Sequence, residues 1–133
     1  NLIKKEDSFY EKFKLINSNI SKWKINKLSL LKNINNKHGK IAAKAFPGRS
    51  AILIKLLKID ENLISKIYEK PGSMKIGYYV PGTRIPIVSD DKIDDLESPL
   101  LNLAWHISTE IKNYMRSISF SGDIVDILSE NDF

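Results

Sequence analysis

The 133-residue chain contains no cysteine, which excludes disulfides and thiolate metal sites. Its two histidines, His38 and His106, lie too far apart in sequence for a metal-binding motif, so no metal is expected. No apolar run approaches the roughly 20 residues that a membrane helix needs, and no membrane partner is expected. The first residues, Asn1-Leu2-Ile3-Lys4-Lys5, carry no small-residue cleavage site of a secretion signal. These absences favour a cytoplasmic setting. Glycine is missing at Ala43-Lys44-Ala45, where a dinucleotide fingerprint needs Gly-x-Gly. Side chains there would crowd a pyrophosphate, which argues against a small NAD-dependent enzyme.

What is present is a globular composition, 42% hydrophobic, at a length that suits one domain. The formal net charge of +5 is unevenly placed. Residues 1–40 hold ten lysines against Glu6, Asp7 and Glu11, whereas residues 41–133 hold 11 basic and 13 acidic side chains. Lysines along a helix without interleaved exposed aromatics form a solvated face, so no nucleic acid partner is expected.

Residues 8–38 read as one long helix. Ser8-Phe9-Tyr10-Glu11 fits a capping box, and His38-Gly39 fits a stop. The apolar positions Phe9, Phe13, Ile16, Ile20, Trp23, Leu30 and Ile34 make one stripe, broken where Lys27 takes the expected place. Such a stripe has to pack on something: the flank of a sheet, another domain or a second copy.

Residues 39–133 read as an α/β unit. A short apolar run, Ile41 to Phe46, meets Pro47-Gly48, and a helical pattern follows from Ser50 to Lys58. A strand feeding a helix through a tight turn opens a parallel sheet. The helix start offers unpaired N–H groups to an anion, with Ser50 as N-cap and the Arg49 charge beside it. The plain alternative is a βα turn with a solvated arginine. Leu63 to Tyr68 is the next strand, ending at Glu69, where a dinucleotide fold would hold a ribose hydroxyl; the plainer alternative is a surface glutamate ending a strand. Pro71 to Pro86 reads as a polar loop, with Pro81-Gly82 central in a type II turn and Tyr79, Thr83 and Arg84 as ligand contacts. Asp90 to Glu97 reads as a short helix or turn. Strand Leu100–Ala104, helix Ser108–Ser117 and strand Ile124–Leu128 complete the chain. His106, at a strand's carboxyl end, either contacts ligand or bonds backbone. The expected fold is a three-layer, Rossmann-like α/β domain with a small, mainly parallel sheet and a long N-terminal helix.

Three segments resemble, in order and spacing, the C-terminal domain of sugar C-methyltransferases. They are Ile41 to Ser50, Lys75 to Ile87 (which holds Pro81-Gly82-Thr83-Arg84-Ile85-Pro86), and Asn102-Leu103-Ala104-Trp105-His106. Alanines replace the family's turn glycines, Ser50 a usual glycine, and His106 a common asparagine. The resemblance implies the C-terminal part of a larger SAM-dependent enzyme that methylates a nucleotide-linked deoxysugar. SAM and the acid/base residues are then expected in an upstream domain or subunit. This chain would hold no cofactor and no catalytic residue, and alone would be inactive. It would close the active-site cleft and grip the nucleotide sugar through Pro47, Gly48, Arg49, Ser50, Glu69, Tyr79, Pro81, Gly82, Thr83, Arg84 and His106. The alternative implied by the lost glycines is a non-catalytic packing or assembly module.

Overall fold

A computed structural model describes residues 2–48 and 50–129, with the backbone alone for residues 2–10, 12, 13 and 16. The elements are α1 (Leu2–His38), β1 (Ile41–Lys44), α2 (Ser50–Leu57), β2 (Ile64–Glu69), β3 (Ile87–Ser89), β4 (Leu100–Asn102), α3 (Ser108–Ser117) and β5 (Ile124–Asp126). Single 3-10 turns at Asp90–Lys92 and Trp105–Ile107 follow β3 and β4.

The strands form one sheet in the order β3-β2-β1-β4-β5, with every pairing parallel. The chain starts in the centre, steps outward to β3, then crosses to β4 on the other side. This is the Rossmann-like arrangement expected, and it puts a topological switch point between β1 and β4. Side chains alternate between faces along each strand. Ala43, Ile67, Ile87 and Leu101 join Trp23 and Leu31 of α1 and Ile54 and Leu57 of α2 in one core. Their neighbours Ala42, Tyr68, Val88 and Leu100 face Ile111 and Met115 of α3 and Phe120. Three layers result.

The structure corrects two local readings and adds one strand. The helix is already running at Leu2, so Ser8 lies inside it and cannot be its N-cap. The buried stripe of α1 runs through Trp23, Lys27 and Leu31, with Leu30 42% exposed. Lys27 therefore does not break the stripe: its ammonium donates to the Asp126 carbonyl at 2.8 Å, one turn from the Trp23 indole, which donates to the Ile127 carbonyl at 2.9 Å. The Phe9, Phe13 and Ile16 side chains lie outside the described residues. Finally, residues after Pro86 form the edge strand β3. Pro86 lends only its carbonyl, which accepts from the Ile67 N–H at 2.9 Å.

The type II turn at Pro81-Gly82 is present. The Thr83 N–H donates to the Val80 carbonyl at 3.0 Å, and Gly82 has φ +80°. This turn closes a hairpin in which residues 77–80 fold back along 85–87, with the Val80 N–H bonded to the Ile85 carbonyl at 3.0 Å.

The register of α1 gives a direct test. Leu31→Ala should lower stability by about 2–5 kcal/mol, the usual cost of a cavity in a core. Leu30→Ala should change it by less than about 0.5 kcal/mol. Equal losses in urea denaturation would contradict the packing of α1.

Candidate functional site

Parallel strands present their carboxyl ends at one edge of the sheet, and ligands of such folds bind there, at the switch point. Here the β1 turn and the β4 tail meet at that point. Ala45 leaves β1 with φ +67°, a left-handed conformation that glycine adopts without steric cost. Its N–H donates to the Tyr68 carbonyl at 2.7 Å. The Phe46 N–H donates to Glu69 Oε1 at 3.0 Å, and Lys75 donates its ammonium to the Phe46 carbonyl. Lys75 also lies 3.7 Å from Glu69 Oε1. The turn is thus clasped by an acid at the end of β2 and a base from the loop that follows it.

Of the residues singled out by sequence, Pro47 is half-buried and Gly48 exposed in this turn. Arg49 lies outside the described residues. Ser50 begins α2, but not as an N-cap facing a ligand: it is fully buried and its hydroxyl donates to the Leu103 carbonyl. Glu69 reaches the same turn through Phe46. His106 is exposed beyond the end of β4, edge-on to Trp105 at 5.8 Å between ring centres. The Trp105 Nε1 is buried and has no hydrogen-bond partner.

Tyr79, Pro81, Gly82, Thr83 and Arg84 are not brought to this edge. They precede β3, which starts beside Ile67, so their turn projects toward the amino ends of the strands. There Pro81, Gly82 and Thr83 face Lys58, Ile59 and Asp60 across a groove. The Arg84 N–H donates to Glu61 Oε2 at 3.0 Å, which holds the Glu61 carboxyl below its ordinary value. The Thr83 hydroxyl is used within the turn, donating to Val80 and accepting from Ile85. Topology separates the two segments because a connection entering a parallel strand lies opposite to the strand's exit.

Two polar clusters at the carboxyl edge escaped the sequence reading. In the first, the Lys44 ammonium lies 2.8 Å from both Asp90 oxygens, and the Tyr114 hydroxyl donates to Asp90 Oδ2 at 2.8 Å. The Lys44 and Asp90 side chains are 1% and 5% exposed. Desolvation, then the bond to Asp90, push the Tyr114 phenol up to about 12. In the second, buried Asn102 donates to Asp126 Oδ1 at 2.9 Å, and Ser108 donates to Asp126 Oδ2 at 2.8 Å. Lys112 stands 3.4 Å from the same carboxylate. The available signal was a charged residue inside an otherwise apolar strand run, at Lys44 and at Asp126.

Among the described residues no group of His, Cys, Asp or Glu could hold a metal ion, and no helix is long and apolar enough to cross a membrane. At the β1 turn, the Phe46 N–H and the Glu69 carboxylate are engaged with each other. A dinucleotide or SAM would need that carboxylate for its ribose. The Phe46 N–H therefore competes with any ribose for Glu69 Oε1 at this turn.

The class defined by fold and edge is a small Rossmann-like α/β domain with a tied, glycine-poor first turn. Within that class the chain belongs to the C-methyltransferase C-terminal domain family, whose sequence model matches residues 2–125. Comparison with curated proteins and with solved structures returned no match.

Two measurements test this edge. Asp90→Asn should cost about 3–5 kcal/mol, because it leaves the buried Lys44 ammonium without its counter-charge. Tyr114 has a raised folded-state value, so its share of stability is present below pH 10 and falls as pH rises toward about 12. Tyr114→Phe should flatten that part of the pH–stability curve; an unchanged slope would remove Tyr114 from the cluster. Separately, Ala45→Gly should raise stability by about 0.5–1 kcal/mol by relieving the left-handed alanine, net of glycine's chain entropy. A loss on thermal denaturation would show that the Ala45 methyl packs usefully.

Proposed function

We propose that this chain is the nucleotide-sugar-binding, cleft-closing domain of a cytoplasmic, SAM-dependent sugar C-methyltransferase. The family match over residues 2–125, with the β1 turn and β4 tail at one switch point, carries this reading. SAM binds an upstream domain or subunit, and this chain alone transfers no methyl group. The ligand lies along the carboxyl edge, against Pro47, Gly48, Arg49 and His106. Lys70, exposed just after β2, adds positive charge for a diphosphate. Glu69 and Ser50 act through the turn they hold, rather than by touching sugar.

A second reading has one observation behind it. The turn's polar groups are tied within the chain, as in a packing module that has given up its ligand. Chemical-shift mapping by NMR with UDP-, GDP- and TDP-sugars separates the two. Saturable shifts at residues 45–48, 69–75 and 104–107 are expected, with binding weakened by salt. His106→Ala should weaken binding by about 1 kcal/mol, the scale of one neutral hydrogen bond. Shifts confined to residues 79–84, or none with any of the three, would leave the packing module as the better reading.

A further inference from the structure

The face of the sheet that carries α3 is incompletely covered. The β2–β3 connection runs as a hairpin at the sheet's edge and adds no helix to that face, so a gap is left between α3 and the last turns of α1. A cavity of about 180 Å³ remains there. Its apolar walls are Ala42, Tyr68, Leu100, Met115 and Phe120. Its volume owes much to Ala42, a small side chain on the central strand. The roof is the segment from Ile93 to Pro99, and this roof is fixed. The Ser121 N–H donates to the Leu96 carbonyl at 2.7 Å. Gly122 lies so close beneath that a β-carbon there would stand 2.4 Å from the Ser98 carbonyl oxygen. The cavity is therefore formed before any ligand arrives.

Its mouth is charged. His38, Lys40 and Lys66 line it together with Asp94 and Asp95. Asp95 is committed to its own turn, accepting from the N–H groups of Glu97 and Ser98 at 3.0 Å each. The Lys66 ammonium rests 5.6 Å from the centre of the Tyr68 ring, at the junction of mouth and apolar wall. We propose that this cavity is a binding site for a small aromatic monocarboxylate, with the ring against Ala42, Met115 and Phe120 and the carboxylate on Lys66. The size agrees: a cavity of about 150 Å³ takes a benzene ring. The chemistry agrees as well, since an aromatic-backed ammonium beside apolar walls selects an anion carrying an apolar body. The site lies at the amino edge, across the sheet from the β1 turn, and does not depend on the nucleotide-sugar reading.

The test is an NMR titration with benzoate as probe and benzamide as its neutral isostere. Benzoate should bind saturably at millimolar concentrations, with shifts at Ala42, Tyr68, Met115 and Phe120. Benzamide should bind about tenfold more weakly, the scale of losing one charged hydrogen bond. Lys66→Gln should weaken benzoate about tenfold as well, whereas Lys92→Gln, on the exposed surface, should not. Ala42→Leu should fill the floor and abolish binding with unchanged circular dichroism. Equal binding of benzamide, shifts elsewhere, or no saturable binding would overturn the proposal. If Ala42→Leu fails to fold, the benzamide and Lys66→Gln comparisons decide the matter.

Discussion

A lysine ammonium sealed inside a sheet has to be answered by a carboxylate, because an uncompensated buried charge costs several kcal/mol. Lys44 ends the central strand at 1% exposure, and Asp90 meets it with both oxygens. Asp90 directly follows β3, two strands away, so the pair reaches across β2 and sets where the edge strand stops. The Tyr114 hydroxyl on the same carboxylate brings α3 over that corner, and its ring lies 5.1 Å from the Lys44 ammonium. One carboxylate thereby links central strand, edge strand and covering helix. Apolar packing would tolerate small slips of these layers; this contact set does not.

The opposite edge is held by the same kind of constraint. Chain leaving β5 carries carbonyls that no further strand satisfies. Trp23 and Lys27 of α1 supply the donors for Ile127 and Asp126. Lys27 can lie on a buried stripe because its stem packs while its head reaches a carbonyl. The long helix is thus joined to the sheet's last strand by directional bonds, in addition to its apolar contact.

Fold class was legible because it rests on local pattern: an apolar run, Pro-Gly, a helical run, then repeats of that theme. The core of α1 was legible only to within a residue. Leu30 and Leu31 are both leucines, and a single-sequence stripe does not distinguish them unless Lys27 is admitted as buried. β3 was hidden because three residues after a proline carry too little period to register. The site was less legible still. Its residues were gathered from three segments, and only the topology tells which edge each occupies. Ile67 pairing with Ile87 sends the Pro81–Arg84 turn to the amino edge. That single register fact separates Arg84 from the β1 turn.

The β1 turn keeps the shape of a glycine turn without its glycines. Ala45 occupies the left-handed region at a cost of about 1–2 kcal/mol. The conformation persists because three bonds hold it from outside, from Ala45 to Tyr68, Phe46 to Glu69 and Lys75 to Phe46. Those bonds engage the donors and the acid through which a glycine-rich turn would meet a pyrophosphate and a ribose. Geometry and recognition are therefore decoupled at this position. The turn positions the start of α2 against Leu103, while any anion at this edge must be met by groups outside the clasp. Among the described residues those are the exposed Lys70 and His106. Recognition built on side chains at the rim demands less of the backbone than recognition by the turn itself. That is why alanines can stand at Ala43 and Ala45 without disturbing the fold.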